Sequence, residues 1–266
     1  MLWWTPPEEC ELGHFLRHVE NYDLSFRANG CKLEAMSHTS AQTVTKTPAE
    51  TPFTLWTVFK RTGSFTGGEA AVSEFETLVA SLAAESITLR GAYDVSAMRN
   101  DADVMVWLVG AEAEGLQRAI RSIRRTELFA ATEIAWSAMG VHREAEFAKS
   151  HAPSYMGPNG AKGWVCVYPF VRSYDWYIIP AEDRSRMLRE HGMLGREYPQ
   201  VQANTVSAFA LGDWEWLLGL EADNLTDLVD MMRSLRYSDA RLHVREEVPF
   251  YTGRHIDAAE VAEVLR

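Results

Sequence analysis

Residues 163–177 read GWVCVYPFVRSYDWY, and their patterning decides the fold. The run 163–171 is short, apolar and rich in β-branched residues, which suits a strand ending at the polar pair Arg172-Ser173. Side chains alternate across a strand, so Val165, Val167 and Pro169 share one face and Cys166, Tyr168 and Phe170 the other. The period then changes. PAEDRSRMLREHGMLGRE (180–197) reads as a helix with Pro180 near its start. VSAFAL (206–211) and WEWLLGL (214–220) read as strands around a turn at Gly212-Asp213. Leu225, Leu228, Val229, Met232 and Leu235 form a second helical stripe, and LHVREEVPFYTG (242–253) is a last strand-like segment.

The same grammar precedes it. LWTVFK (55–60) is a strand, and Val72, Phe75, Leu78, Val79 and Leu82 mark a helix over 70–84. ITLRGAYDV and DVMVWLV are strands joined by a turn around SAMRNDA. Leu116, Ile120 and Ile123 mark a second helix, and EIAWSAMGV a closing strand. Each half therefore runs β-α-β-β-α-β, the ferredoxin-like order. RSIRRTE (121–127) and RSLRYSD (233–239) repeat local wording, and an offset of about 110 residues between the halves points to an internal duplication. The expectation is an α+β protein of two tandem ferredoxin-like halves, 53–150 and 151–266, packed sheet against sheet to cover their apolar faces.

Composition narrows the function classes. Hydrophobic residues at 47% and charged residues at 24% suit a soluble globular chain. No apolar run is long enough to span a bilayer. A net charge of -11 argues against a general nucleic-acid binder. Arg121, Arg124 and Arg125 make either a local basic patch or a solvated helix face. Cys10, Cys31 and Cys166 show no CxxC spacing, which fits a reducing cytoplasm and excludes a cysteine-rich zinc site. Residues 1–52 differ from the rest. They lack a basic-then-apolar leader, and the Ser/Thr/Pro-rich lead SHTSAQTVTKTPAETP follows a second methionine, Met36. They are expected to be a disordered or non-native extension, with Met36 as the alternative start.

Candidate chemistry concentrates in the second half. The histidines form no HExxH motif and no pair at i, i+4. His191, in a helix among Met187, Leu188 and Met193, is either a haem-iron ligand or an ordinary core or surface histidine. Tyr168 is either a packed strand tyrosine or a redox relay, with Tyr174, Trp176 and Tyr177 nearby. His151, in KSHAPSY, is a loop histidine or a proton acceptor. Phosphate loops, nucleophile elbows and dinucleotide fingerprints are absent from the sequence.

The duplicated halves, together with VCVYPFVRSYDWY, RMLREHGM, ANTVSAFALGDWEW and VREEVPFYTGR, closely resemble the chlorite dismutase superfamily. Within it the chain resembles the coproheme decarboxylases, or haem synthases, of the actinobacterial type, from about Leu55 to Arg254. The resemblance implies a dimeric α/β-barrel arrangement of the halves. It implies that Tyr168 is the catalytic tyrosine, that His191 is the proximal ligand of the porphyrin iron, and that His151 accepts a proton from hydrogen peroxide. Trp176 would line the porphyrin pocket, and Arg172 and Ser173, beside Tyr168, are candidates for holding propionates. The substrate implied is Fe-coproporphyrin III (coproheme), which also serves as cofactor, the oxidant hydrogen peroxide and the product haem b. Peroxide consumed at the iron would oxidise Tyr168 to a radical, which takes a hydrogen from a propionate β-carbon. Carbon dioxide then leaves and a vinyl group forms, twice over. A homopentamer, a cytoplasmic location and transient contact with the coproporphyrin ferrochelatase are further implications.

Two departures separate subfamilies. The lysine that members from Firmicutes carry shortly after the tyrosine is missing, as is the distal arginine of chlorite dismutases, since the corresponding strand reads Asn204-Thr205-Val206-Ser207. The competing readings are a chlorite dismutase or weak haem peroxidase, a non-catalytic haem-binding chaperone or sensor, and a non-haem protein of the same barrel class.

Overall fold

A computed structural model of the chain describes residues 52–143 and 152–266. The anticipated N-terminal extension, the Met36 start and His151 lie outside the described residues. The first half contains β1 (Phe53–Arg61), α1 (Glu69–Leu82), β2 (Ile87–Asp94), β3 (Val104–Gly110), α2 (Ala113–Ile123) and β4 (Thr132–Val141). The second contains β5 (Trp164–Arg172), α3 (Ala181–Arg196), β6 (Gln202–Ser207), β7 (Trp216–Ala222), α4 (Leu225–Leu235), β8 (Val244–Glu246), β9 (Tyr251–Ile256) and a closing helix α5 (Ala258–Leu265).

The strand orders are β4-β1-β3-β2 and β9-β5-β7-β6, the ferredoxin-like order twice. The halves do more than face each other. β2 pairs with β9 through Ala92↔Ile256, Tyr93↔His255 and Asp94↔Arg254, and β4 meets β6 at Val141↔Ser207. Eight antiparallel strands thus close into a ring without free edges, as the expected barrel requires. The narrower seam depends on glycine. A Cβ on Gly140 would collide with Val206 Cγ2 where β4 and β6 approach.

The barrel interior is packed solid. Trp56 and Trp107 meet at 4.9 Å between ring centroids, Trp136 and Tyr251 at 5.0 Å, and Val167, Val206 and Leu217 fill the remainder. At its rim, a buried ion pair ties the halves. Arg90 Nη2 of β2 donates to Glu221 Oε1 of β7 at 2.8 Å, with side chains 8% and 0% exposed. Glu221 also accepts Asn204 Nδ2 at 2.9 Å and the Lys162 amide at 3.3 Å. Arg90 donates onward to the carbonyls of Asn159 and Gly160. The connecting segment is thereby pinned from both sides.

The two outer faces differ, and the difference positions the site. In the first half, α1, α2 and α5 seal the sheet with Phe59, Phe75, Leu116, Phe129, Val261 and Leu265. In the second half the described buried residues split into two smaller clusters, Cys166, Tyr168, Leu220, Ala222 and Leu228 and Trp176, Met187 and Ala240. α3 packs chiefly on α4 and on the turn 239–243, and only Arg184 and Met187 of it are buried. It stands off the sheet, and a cleft opens beneath it.

Three sequence expectations shift. The strand expected at 206–211 is β6, Gln202–Ser207. Phe209 and Leu211, which extended the apolar pattern, are exposed in the following loop. Polar Gln202 and Asn204 instead belong to the strand because Glu221 and Arg90 satisfy them. The last segment is broken into β8 and β9, since Val248-Pro249 supplies no ladder amide at the proline. Finally, α5 was not anticipated. It is capped at Asp257, whose side chain accepts the Glu260 amide at 2.8 Å, and it completes the first half's core rather than the second's.

Candidate active site

β5 delivers Tyr168, Phe170 and Arg172 into the cleft, because all three occupy the strand face turned away from the barrel interior. α3 contributes Leu188 and His191, α4 contributes Met232 and Leu235, and the segment after it adds Arg236, Arg241 and Glu247. The enclosed volume is about 190 Å³. A larger apolar cavity of about 490 Å³ lies next to it, lined by Cys166, Leu225, Val229 and Phe250 and sharing Met232 and Arg236. Tyr168 and His191, the groups with redox and ligand chemistry, line the smaller space.

Tyr168 is 3% exposed. Its ring stacks on Phe250 at 4.5 Å and its hydroxyl donates to Met232 Sδ at 3.4 Å. Burial pushes the phenol's pKa well above its ordinary value, with Glu247 adding to the effect. The phenol is therefore neutral, and a thioether is too weak a base to take its proton. The side chain can give up a hydrogen atom, electron and proton together, but has no ready acceptor for the proton alone.

His191 has its pKa lowered, first by burial and then by the Arg172 and Arg236 cations, with Glu247 opposing. A neutral imidazole keeps a lone pair for a metal. Nδ1 lies 2.9 Å from Ser238 Oγ, and among the described residues Nε2 makes no hydrogen bond. That is the donor set of a single-histidine porphyrin ligand.

Arg172 is the cleft's least neutralised cation. Its guanidinium lies 4.2 Å from the Trp176 ring centroid and 4.9 Å from that of Phe170. Burial lowers its pKa to about 10, against the pull of Tyr177 and Glu215. Arg236 and Arg241 instead share Glu247, at 2.9 and 2.7 Å. Three guanidiniums and one carboxylate leave this corner cationic in an acidic chain, an arrangement suited to carboxylate ligands.

The remaining expectations divide. Trp176 is buried with Met187 and Ala240 and backs Arg172 rather than lining the cleft. Ser173 does not line the cleft; its hydroxyl is engaged by Asp175 and by His243 Nδ1. Sequence reading missed Met232, Arg236, Arg241, Glu247 and Ser238. Glu247 sat in the quoted motif VREEVPFYTGR; the others lie in the stretch 232–241, whose signal was a helical stripe and the repeated phrase RSLRYSD.

A sequence profile described as chlorite dismutase matches residues 68–256. The chain belongs to the chlorite dismutase family. A coproheme decarboxylase from Mycolicibacterium smegmatis is 48% identical over 182 residues, which cover 68% of this chain and 79% of that one. A coproheme decarboxylase from Thermus thermophilus is 29% identical over 100 residues, 36% of this chain and 40% of that one. Among solved structures, the chlorite dismutase of Candidatus Nitrospira defluvii in complex with imidazole superimposes with a TM-score of 0.72 at 18% identity, covering 82% of this chain and 97% of that one. At that identity the likeness establishes the chlorite dismutase fold. Among the described residues no helix is long and apolar enough to cross a membrane.

Proposed function

We propose that this chain oxidatively decarboxylates two propionates of Fe-coproporphyrin III with hydrogen peroxide, giving haem b. The observation that carries this reading is the shared cleft of His191, bonded through Nδ1 to Ser238, and the buried Tyr168. The 48% identity to a coproheme decarboxylase supports the same substrate. Each step balances as a propionic acid side chain plus hydrogen peroxide giving a vinyl group, carbon dioxide and two waters.

The chain's residues fit such a substrate. His191 Nε2 is the nitrogen that would hold the iron, and Arg172, with Arg236 and Arg241, would face the carboxylates. The cleft alone is smaller than a typical ligand site of roughly 300–1,000 Å³. The adjoining cavity supplies the remaining room behind Met232, whose unbranched thioether chain moves readily. When bound, the iron porphyrin supplies the oxidising power drawn from peroxide. Tyr168 then passes a hydrogen atom's worth of oxidation to the propionate β-carbon. His151 is the proposed acceptor of the peroxide proton. Thr205 is the β6 residue that lines the cleft, and this neutral hydroxyl disfavours the chlorite-splitting alternative. A homopentamer, a cytoplasmic location and contact with the coproporphyrin ferrochelatase belong to the same proposal.

The test is mass spectrometry of the protein with ferric coproporphyrin III and titrated peroxide. Two successive losses of carbon dioxide plus two hydrogens are expected. Tight porphyrin binding without mass loss would assign the chain to the chaperone or sensor class instead, and chlorite-dependent oxygen release would assign it to the dismutases.

A further inference from the structure

Ser238 lies just past the end of α4, 4% exposed, with its hydroxyl between two groups. Its Oγ is 2.9 Å from His191 Nδ1 and 3.2 Å from the carbonyl oxygen of Leu235. A hydroxyl has one hydrogen and two lone pairs. The Leu235 carbonyl belongs to the last turn of α4, where intrahelical donors run out. Beyond the helix, backbone amides of the described residues reach Arg233 and Ser234 but not Leu235. The serine hydrogen is therefore committed to that buried carbonyl, because turning it elsewhere would orphan the acceptor. Oγ then has only lone pairs for the imidazole, and Nδ1 must be the donor.

We infer that Ser238 is a positioning residue that locks His191 in its Nδ1–H tautomer and so presents the Nε2 lone pair to the cleft. The inference rests on the reading of His191 as the iron ligand, but the lock itself is a property of the porphyrin-free protein. An N–H on Nε2 must first move to Nδ1 before that nitrogen can ligate, so the helix end that orders Ser238 also tunes how tightly the site takes iron. Outer hydrogen bonds to a ligating histidine commonly change metal affinity by about 10–100-fold.

The experiment is ring ¹⁵N–¹H correlation NMR on porphyrin-free protein, wild type against Ser238→Ala and Ser238→Thr. Wild type and Ser238→Thr should show His191 protonated at Nδ1, and Ser238→Ala should move toward the Nε2–H form. Ferric coproporphyrin III affinity should fall about 10–100-fold in Ser238→Ala and recover in Ser238→Thr, with the iron–histidine stretch in resonance Raman shifting in step. A wild-type ring protonated at Nε2, or a Ser238→Ala ring that stays fully Nδ1–H, overturns the inference. Should Ser238→Ala not fold, the wild-type tautomer alone decides. An unchanged iron–histidine signal in His191→Ala would instead refute the ligand assignment, leaving the tautomer result intact.

Discussion

Glu221→Gln isolates one charge on which the joint between the halves depends. The carboxylate is wholly buried and bonds Arg90, Asn204 and the Lys162 amide. The amide keeps the volume but removes the charge, leaving the Arg90 guanidinium, itself 8% exposed, without its counter-ion. Stranding one member of a buried pair costs about 3–5 kcal/mol. A change of 1 kcal/mol moves the Tm of a chain this size by about 2–4 °C, so the expected drop is roughly 6–20 °C. Surface pairs give a useful contrast. Arg118–Glu85, with both side chains half exposed, should yield about 0–1 kcal/mol by the same substitution. Thermal unfolding of porphyrin-free protein at fixed pH is the assay, with Arg90→Met/Glu221→Leu as the companion variant. The companion should recover part of the loss: it strands neither charge, but it leaves the buried Asn204 amide without the acceptor that Glu221 supplies. A Glu221→Gln Tm within about 2 °C of wild type would refute the claim that this pair is electrically insulated.

Tyr168→Phe should bind ferric coproporphyrin III and release no carbon dioxide, measured by product mass spectrometry. Its stability should change by no more than about 1 kcal/mol, because the lost hydroxyl bonds only a thioether. Arg172→Leu should weaken binding of the four-carboxylate coproheme more than that of two-carboxylate haem b, read by Soret titration; equal losses would remove its carboxylate role. Burial raises the Cys166 thiol to about 11, against a mild lowering by Thr252. The thiolate is thus scarce at pH 8, and alkylation at Cys166, followed by peptide mass spectrometry in a variant with Cys10 and Cys31 replaced by Ser, should run roughly two orders of magnitude slower than for a free thiol. The rate should climb toward pH 11 and jump on unfolding; fast labelling at pH 8 would contradict the buried placement.

Much of the architecture was legible because it follows from period alone. The alternation in VCVYPFV placed Tyr168 on one face with Cys166 and Phe170, and the helical stripes of α1, α2 and α4 fell where their apolar residues lay. The edges were not legible. Pairing of β2 with β9 and of β4 with β6 joins residues far apart in the chain, and nothing local in ITLRGAYDV announces a partner at Ile256. β6 was misplaced because its buried polar residues are satisfied by a network that only tertiary contact assembles. The site divides the same way. His191 and Tyr168 stood out in quoted motifs. Ser238 and Met232 matter only because α4 and its end are folded against α3 and β5. Trp176 was singled out by the resemblance and Ser173 by its place beside Tyr168, yet neither lines the cleft, which the strand enters through Arg172 instead.

The return of β9 and α5 to the first half has a consequence for biosynthesis. Residues 52–143 leave the ribosome early, but β2 has no neighbour on its outer edge until Tyr251–Ile256 arrives. The pocket that takes Val261 and Leu265 stays open for the same interval. The Phe65 amide likewise waits for the carbonyl of Leu265, which it meets at 2.7 Å. The half that is translated first is therefore the half that is completed last. A nascent chain halted within the second half would present an unpaired strand and an uncovered apolar floor, the features that recruit holdases and seed strand-to-strand aggregation.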